Sequence, residues 1–313
     1  MEFRKDENKM KDVIIVGSGP AGMGAALYGR RAGLDTLILD ATGMPGGQIT
    51  TTYEVDNYLG LPGINGFDMA MAFQEHVKKF GAQWEPGKVS EIEKQDNYFV
   101  VKTGEKEYQG KTVILAAGAS HNKLGVPGEE ELTGMGVSYC ATCDGAFYRG
   151  KTTVVVGGGD VAIEDAIFLA RFCEKVYLVH RRDSLRGAKI LQDRLFELPN
   201  VEVIWDSVVE RIEGTEAVEQ IHLLNKKSGE KRVLSAQGIF IAVGIHPNTE
   251  NFQNLVEMDE AGYIIAGEMG ETSVPGVYVA GDTRTKELRQ VITAVADGAN
   301  AITSVQKYLL ENK

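Results

Sequence analysis

The chain has 313 residues, 43% of them hydrophobic and 25% charged, the balance of an ordinary globular protein long enough to bury two cores. A formal net charge of −11 argues against nucleic acid or an anionic membrane as a general partner, because those select basic surfaces. Met1 to Lys11 is charged and lacks the apolar stretch of a secretory signal, and no later apolar run reaches the roughly 18 residues that span a bilayer. With only three cysteines the chain is no secreted disulfide scaffold, so a cytoplasmic location is expected.

In chain order, Val13 to Val16 reads as an apolar strand entering the turn Gly17-Ser18-Gly19-Pro20-Ala21-Gly22, with Pro20 where a helix can start without losing a needed donor. A helix over Ala21 to Ala32 and a strand over Thr36 to Asp40 complete a βαβ unit. A glycine-rich stretch holding Gly46, Gly47 and Gln48 follows, and Met69, Phe73, Val77 and Phe80 predict a helix over Asp68 to Phe80 whose apolar stripe is core. Alternation at Val89 to Glu93 and Tyr98 to Thr103 predicts a small antiparallel sheet, before the apolar strand Thr112 to Ala117 returns to the parallel one.

A second copy of the opening pattern starts at Thr152 to Val156 and turns through Gly157-Gly158-Gly159-Asp160-Val161-Ala162. A helix over Val161 to Phe172, a strand over Val176 to Val179, a helix over Ala188 to Leu198 and a final strand over Gly238 to Val243 are predicted. The first pattern then resumes, with a strand and turn over Gly276 to Asp282 and a closing helix over Arg289 to Leu310. The expected fold class is α/β, with two Rossmann-like (three-layer β/β/α) nucleotide-binding domains, the second inserted into the first. Residues 1–120 and 249–313 would form the discontinuous domain and 121–248 the inserted one. The double crossing, near Ala119 to Val126 and near Gly244 to Asn251, is a natural hinge.

The two copies differ at one diagnostic place. Twenty-three residues beyond the first glycine, one copy carries Asp40 and the other His180, followed by Arg181 and Arg182. A carboxylate there accepts hydrogen bonds from ribose hydroxyls and repels a 2′-phosphate, whereas arginines receive that phosphate as charge-assisted donors. The first copy therefore suits FAD or NAD, and the second NADPH.

Between the copies lies Cys140-Ala141-Thr142-Cys143, whose spacing lets both sulfurs meet in one turn and can depress one thiol pKa. A redox-active disulfide is the favoured reading. The alternatives are a zinc half-site, for which Cys173 and His180 would be the nearest further ligands, and a purely structural pair. Asp144, directly after the motif, reads either as a proton donor to the emerging thiolates or as the cap of a following helix. Cys173, grouped with Phe168, Leu169 and Phe172 on a predicted helical face, reads as a buried core thiol.

Taken together, these motifs resemble those of the low-molecular-weight, bacterial-type thioredoxin reductases, FAD/NADPH-dependent members of the pyridine nucleotide-disulfide oxidoreductase family. The likeness covers nearly the whole length and rests on the Gly17 turn, Gly46-Gly47-Gln48, Cys140 to Asp144, Gly157 to Gly159, His180-Arg181-Arg182-Asp183 with Arg186, and Gly281-Asp282 followed by Arg289-Gln290. It implies FAD held by Gly17, Ser18, Gly19, Pro20, Ala21 and Gly22, by Asp40, Gly46, Gly47, Gln48 and Asn57, by Ala117 and Gly118, and by Gly281, Asp282, Arg289, Gln290 and Val291. It implies NADPH held by Gly157, Gly158, Gly159, Asp160, Val161, Ala162 and Glu164, with His180 at the ribose position and Arg181, Arg182 and Arg186 on the 2′-phosphate.

The resemblance further implies that Cys143 faces the flavin, that Cys140 exchanges with a thioredoxin-like partner, and that the chain forms a homodimer. No metal is expected. Val161, Asp165 and Gly187 stand where Ser or Thr, Glu, and Ala are frequent, and none of these departures removes a needed charge or thiol. Three rival readings are a flavin dithiol oxidase, the flavoprotein arm of a peroxide-reducing system and a non-catalytic nucleotide-binding redox sensor. The NADPH-type arginines oppose the first. The second carries a long cysteine-bearing N-terminal extension, against the 12 residues that precede the first strand here.

Overall fold

The computed structural model describes residues 9–52, 55, 57–104 and 106–312. The chain groups into two compact units, one of Met1–Thr50, Gly66–Ser120 and His246–Lys313, the other of Thr51–Asn65 and His121–Ile245. The second crossing thus falls at Ile245, a little before residue 248, and the short segment Thr51–Asn65 groups with the second unit.

The first unit opens with strand β1 (Lys11–Val16), helix α1 (Pro20–Arg31), strand β2 (Thr36–Asp40) and, after the segment that groups elsewhere, helix α2 (Gly66–Lys79). Strands β3 (Gln83–Pro86), β4 (Glu91–Lys94), β5 (Phe99–Thr103) and β6 (Lys106–Leu115) follow. β2 is buried at every position and β1 at all but one, as expected of parallel strands covered on both faces, whose sequences are continuous apolar runs. α1 starts because Gly19 is extended and Pro20 supplies a preset φ at the first helical position. It ends with Arg30 and Arg31 against the negative end of the helix dipole.

The antiparallel strands are not a separate sheet. β6 is ten residues long: its early half pairs antiparallel with β5, its later half parallel with β1, so a single strand carries the chain from one layer into the other. Apolar residues of β4 and β5, among them Ile92, Phe99 and Val101, then cover one face of the parallel strands, while α1 and the closing helix cover the other.

Strand β7 (Ala119–His121) leaves the first unit, and the second contains β8 (Val137–Ser138), α3 (Ala141–Asp144), β9 (Thr152–Gly157), α4 (Asp160–Leu169), β10 (Lys175–Val179), α5 (Lys189–Phe196) and β11 (Val201–Ile204). Then come β12 (Ser207–Glu213), β13 (Gln220–Asn225), β14 (Lys231–Ser235) and β15 (Gly238–Ala242). The parallel order is β11-β10-β9-β15-β8, with the helices on one face and the β12-β13-β14 meander on the other, each enclosing its own apolar cluster. The meander was absent from the predicted elements. The helix expected to run to Phe172 stops at Leu169, which leaves Cys173 in the turn beyond it, buried but not helical.

β16 (Ile245–Pro247) pairs with β7, so the two crossing segments run side by side. β17 (Val277–Val279) then adds to β6 in the first unit, and α6 (Val291–Glu311) closes the chain, starting two residues later than the periodicity predicts and leaving Arg289 and Gln290 in the approach to it.

Candidate functional site

The first unit presents a cradle at the end of β1. Gly17 has φ +108°, and a Cβ there would lie 2.3 Å from the Ala116 carbonyl oxygen; a Cβ on Gly22 would lie 2.0 Å from the Gly17 oxygen, so backbone fills the space any side chain would need. The turn is braced from outside. The Gly46 N–H donates to the Ser18 carbonyl at 2.9 Å, the Ser18 hydroxyl donates to Asp40, and the Gln48 amide donates to the Ala119 carbonyl. Gly47 lies against Gly19, whose own Cβ would meet only the Gly46 oxygen, at 4.0 Å. A bare backbone face at a helix N-terminus is what a pyrophosphate requires.

Asp40 is buried and well supplied with donors, its Oδ1 accepting from the N–H groups of Thr42 and Gly43 at 2.9 and 2.7 Å and from the Thr42 hydroxyl at 2.8 Å. Gly281 packs its backbone on Ala21, and the Gly118 carbonyl accepts from the Thr283 hydroxyl at 3.0 Å, which brings the 117–118 and 281–282 turns to the same strand ends. Two buried polar atoms there have no hydrogen-bond partner among the described residues: Asp282 Oδ1 and Arg289 Nε. Burial pushes the Asp282 carboxyl up, against the pull of Lys286 and Arg289. These orphaned groups around an open glycine face fit a flavin dinucleotide. Gln290 and Val291 border the same segment, whereas Asn57 is exposed and lies in Thr51–Asn65, outside this unit.

The second unit repeats the cradle at the end of β9. A Cβ on Gly157 would meet the Ala242 carbonyl oxygen at 2.4 Å, whereas Gly159 faces open space, and Asp160, Val161, Ala162 and Glu164 form the first turns of α4. Arg181, Arg182 and Arg186 are exposed, and the nearby carboxylates Asp183 and Asp206 are taken by Lys227 at 2.9 and 3.0 Å, which leaves the cluster basic. This fits a phosphorylated dinucleotide. His180 is enclosed where the arginines are exposed: its ring is buried against Gly158, its Nδ1 is 2.8 Å from the Gly157 carbonyl, and burial holds its pKa below the ordinary value. A carbonyl can only accept, so Nδ1 carries a hydrogen toward Gly157, and the lowered pKa disfavours the charged ring. The fixed positive charge at this site is that of the exposed arginines.

In the same unit Cys140 and Cys143 form a disulfide with Cα atoms 5.3 Å apart, Cys140 extended as the N-cap of α3 and both half-buried. The Cys140 N–H donates to the Ser138 hydroxyl at 3.1 Å, and that hydroxyl donates to Asp144 Oδ2 at 2.6 Å. Asp144 Oδ1 is buried without a partner, and burial raises the carboxyl pKa against the lowering effect of Ser138. Asp144 ends α3 and stands at the N-cap position of the following 3-10 turn, Gly145–Tyr148, but its side chain makes no cap hydrogen bond there. Among the described residues no group of three or more His, Cys, Asp and Glu is arranged to hold a metal ion.

Residues 11–298 match the model of the family described as pyridine nucleotide-disulphide oxidoreductase. The chain belongs to that family. Among its relatives, a thioredoxin reductase of Bacillus subtilis (strain 168) is 48% identical over 306 residues, covering 97% of this chain and 96% of that one. One from Listeria monocytogenes serovar 1/2a is 46% identical over 308 residues, with 98% and 96% covered. The crystal structure of thioredoxin reductase from Streptococcus pyogenes MGAS5005 superposes with a TM-score of 0.93 at 47% identity, covering 97% and 99%.

Membership makes this chain an oxidoreductase of two Rossmann-type domains, and the Cys140–Cys143 pair fits the redox-active disulfide of pyridine nucleotide-disulphide oxidoreductases. Two residues of the site escaped the sequence reading. Ser138 links Cys140 to Asp144 from the end of β8, a strand too short to carry a periodic signal. Tyr263 lies under Arg289 with the guanidinium 4.3 Å from its ring centroid, a cation–π contact between residues far apart in sequence. No helix among the described residues is long and apolar enough to cross a membrane.

Proposed function

We propose that this chain is an NADPH-dependent flavoprotein that reduces the disulfide of thioredoxin or a thioredoxin-like protein, with FAD held by the first unit and NADPH by the second. The observation that carries this reading is the Cys140–Cys143 disulfide with a carboxyl of raised pKa beside it, in the same unit as a glycine turn flanked by three exposed arginines. The relatives named thioredoxin reductase support it.

In the first unit, the Gly17 to Gly22 backbone and Gly46-Gly47 would cradle the FAD pyrophosphate, Asp40 would meet the ribose, and Gln48, Asn57, Ala117, Gly118, Gly281, Asp282 and Arg289 to Val291 would border the rest. FAD, when bound, supplies the two-electron carrier between nicotinamide and disulfide. In the second unit, Gly157 to Ala162 and Glu164 receive the NADPH pyrophosphate and ribose, and Arg181, Arg182 and Arg186 the 2′-phosphate.

Two electrons and two protons convert the Cys140–Cys143 bond to two thiols, Cys143 standing on the flavin side. Asp144 delivers one proton and solvent the other, and Ser138 holds the Asp144 carboxyl group in place. The Cys140 thiolate then attacks the partner disulfide to form a mixed disulfide, and the Cys143 thiolate displaces it, which restores the intramolecular bond and releases the partner as a dithiol. The active form is a homodimer in the cytoplasm, where thiols are kept reduced.

Anaerobic titration with NADPH followed by oxidised thioredoxin, monitored by flavin absorbance, tests the proposal. NADPH should bleach the flavin and thioredoxin restore it. Replacing Cys143 with Ser should preserve the bleaching and abolish restoration; transfer that survives in C143S overturns the assignment.

A further inference from the structure

Asp297 is the one charged residue on the buried face of α6, beside Ala294, Gly298, Ala301, Ile302, Ser304 and Val305, and it is only 5% exposed. Both its oxygens are engaged. Oδ2 accepts from the Gly281 N–H at 2.9 Å, Arg284 Nε at 3.1 Å and Lys286 Nζ at 2.7 Å, while Oδ1 accepts from Arg284 NH2 at 2.9 Å. Arg284 also donates to the Thr285 carbonyl at 2.9 Å, and the Lys286 side chain is as enclosed as the carboxylate it meets. The cationic partners hold the Asp297 carboxyl below its usual range despite burial.

Such a cluster is a poor device for stability alone, since well-packed apolar residues often do as well or better in a core. Its placement suggests another use. The segment from Gly281 to Arg289 divides into side chains that satisfy one another, namely Arg284 and Lys286 on Asp297, and side chains that keep an unpartnered buried atom, namely Asp282 and Arg289. The same stretch of α6 is pressed onto the start of α1: a Cβ on Gly298 would lie 2.2 Å from the Ala21 oxygen, and one on Gly281 2.8 Å from Ala21 Cβ. Asp297 is therefore the point where the first glycine turn, the 281–289 segment and α6 are tied together.

We propose that Asp297 is the positioning residue of the flavin-binding segment: its buried carboxylate clamps the Gly281 turn, Arg284 and Lys286 to α6, and so fixes where Asp282 and Arg289 stand. This rests on the reading of the first unit as the flavin unit.

The test is FAD titration of the apoprotein, read by flavin fluorescence quenching, with the thermal midpoint of the apoprotein and the visible band of the bound flavin measured in parallel. Asp297→Asn keeps the size and removes the charge; it should weaken FAD by about tenfold or more and shift the visible band. Val305→Ala, in the α6 core but away from the clamp, should lower the thermal midpoint yet keep FAD affinity within about twofold. An Asn variant with parent-like affinity and spectrum overturns the proposal, as does a Val305→Ala variant that loses FAD to the same extent. Should the Asn variant not fold, Lys286→Met carries the test, since it keeps the paired contact between Arg284 and Asp297. FAD weakened by about threefold or more supports the clamp, and unchanged affinity removes it. Failure of the parent apoprotein to bind FAD would instead sink the flavin reading itself.

Discussion

Asp144 shares its motif with the cysteines but owes its chemistry to surroundings that the motif does not specify. Enclosed by its own unit and given only one hydrogen-bond donor, its carboxyl keeps a proton at a pH where an exposed aspartate has lost it. A group of this kind can serve as an acid toward a leaving thiolate. Asp144→Asn, which keeps the size, should slow reoxidation by the partner by about 100-fold while leaving reduction by NADPH nearly unchanged, as rapid mixing would show. The parent rate should fall as pH rises through the raised pKa, because the protonated form is the active one, and the Asn variant should lack that limb. Gly22→Ala should yield a protein that binds no FAD, because the new methyl would sit 2.0 Å from the Gly17 oxygen; flavin content after reconstitution decides it.

Helix α6 meets α1 through glycines on both sides. Gly24 would place a Cβ 2.8 Å from the Val295 oxygen and Gly298 one 2.2 Å from the Ala21 oxygen, so the two helices touch backbone to backbone. Gly298→Ala should therefore destabilise the first unit by about 1 to 3 kcal/mol, more than the small gain in helix propensity returns, a difference that denaturant titration resolves. Strand β6 shows the same dependence on neighbours from the other side: its residues are consistent with one long strand, but only the partners of each half turn it into a bridge between layers. The meander β12-β13-β14 went unread for a related reason. A register shift between Val209 and Arg211 breaks the alternation by which a strand announces itself.

The two units each enclose two apolar clusters on the faces of a parallel sheet, so ligands should stabilise them separately. Removing FAD should lower the unfolding temperature of the first unit, since a ligand at about 100 times its dissociation constant contributes about 2.7 kcal/mol by mass action, and calorimetry with and without FAD would show it. Asp165, half-buried in α4 beside Glu164, sets a pH dependence for the second unit: desolvation, with the Glu164 charge, pushes its carboxyl up to about 7 from 3.8. Between those values the folded chain holds more protons than the unfolded one, so stability should fall as pH rises from about 4 to about 7 and then level, by at most about 4 kcal/mol. Asp165→Asn should flatten that slope in denaturant titrations across the same range.

Both glycine turns, the basic cluster and the cysteine pair could be read from the chain, because each is a local pattern: residues that must be small, charged or two apart to do their chemistry stay adjacent whatever the fold. The doubly wound architecture followed from the apolar runs of β1, β2, β9 and β10, which signal strands covered on both faces. What needed the folded molecule were the relations between distant residues: Ser138 between Cys140 and Asp144, Tyr263 beneath Arg289, Asp297 gripping Gly281 and Lys286, and the burial of the His180 ring against Gly157 and Gly158. Each is a matter of burial and of which donor meets which acceptor, and those are settled only when segments far apart in the chain exclude water together.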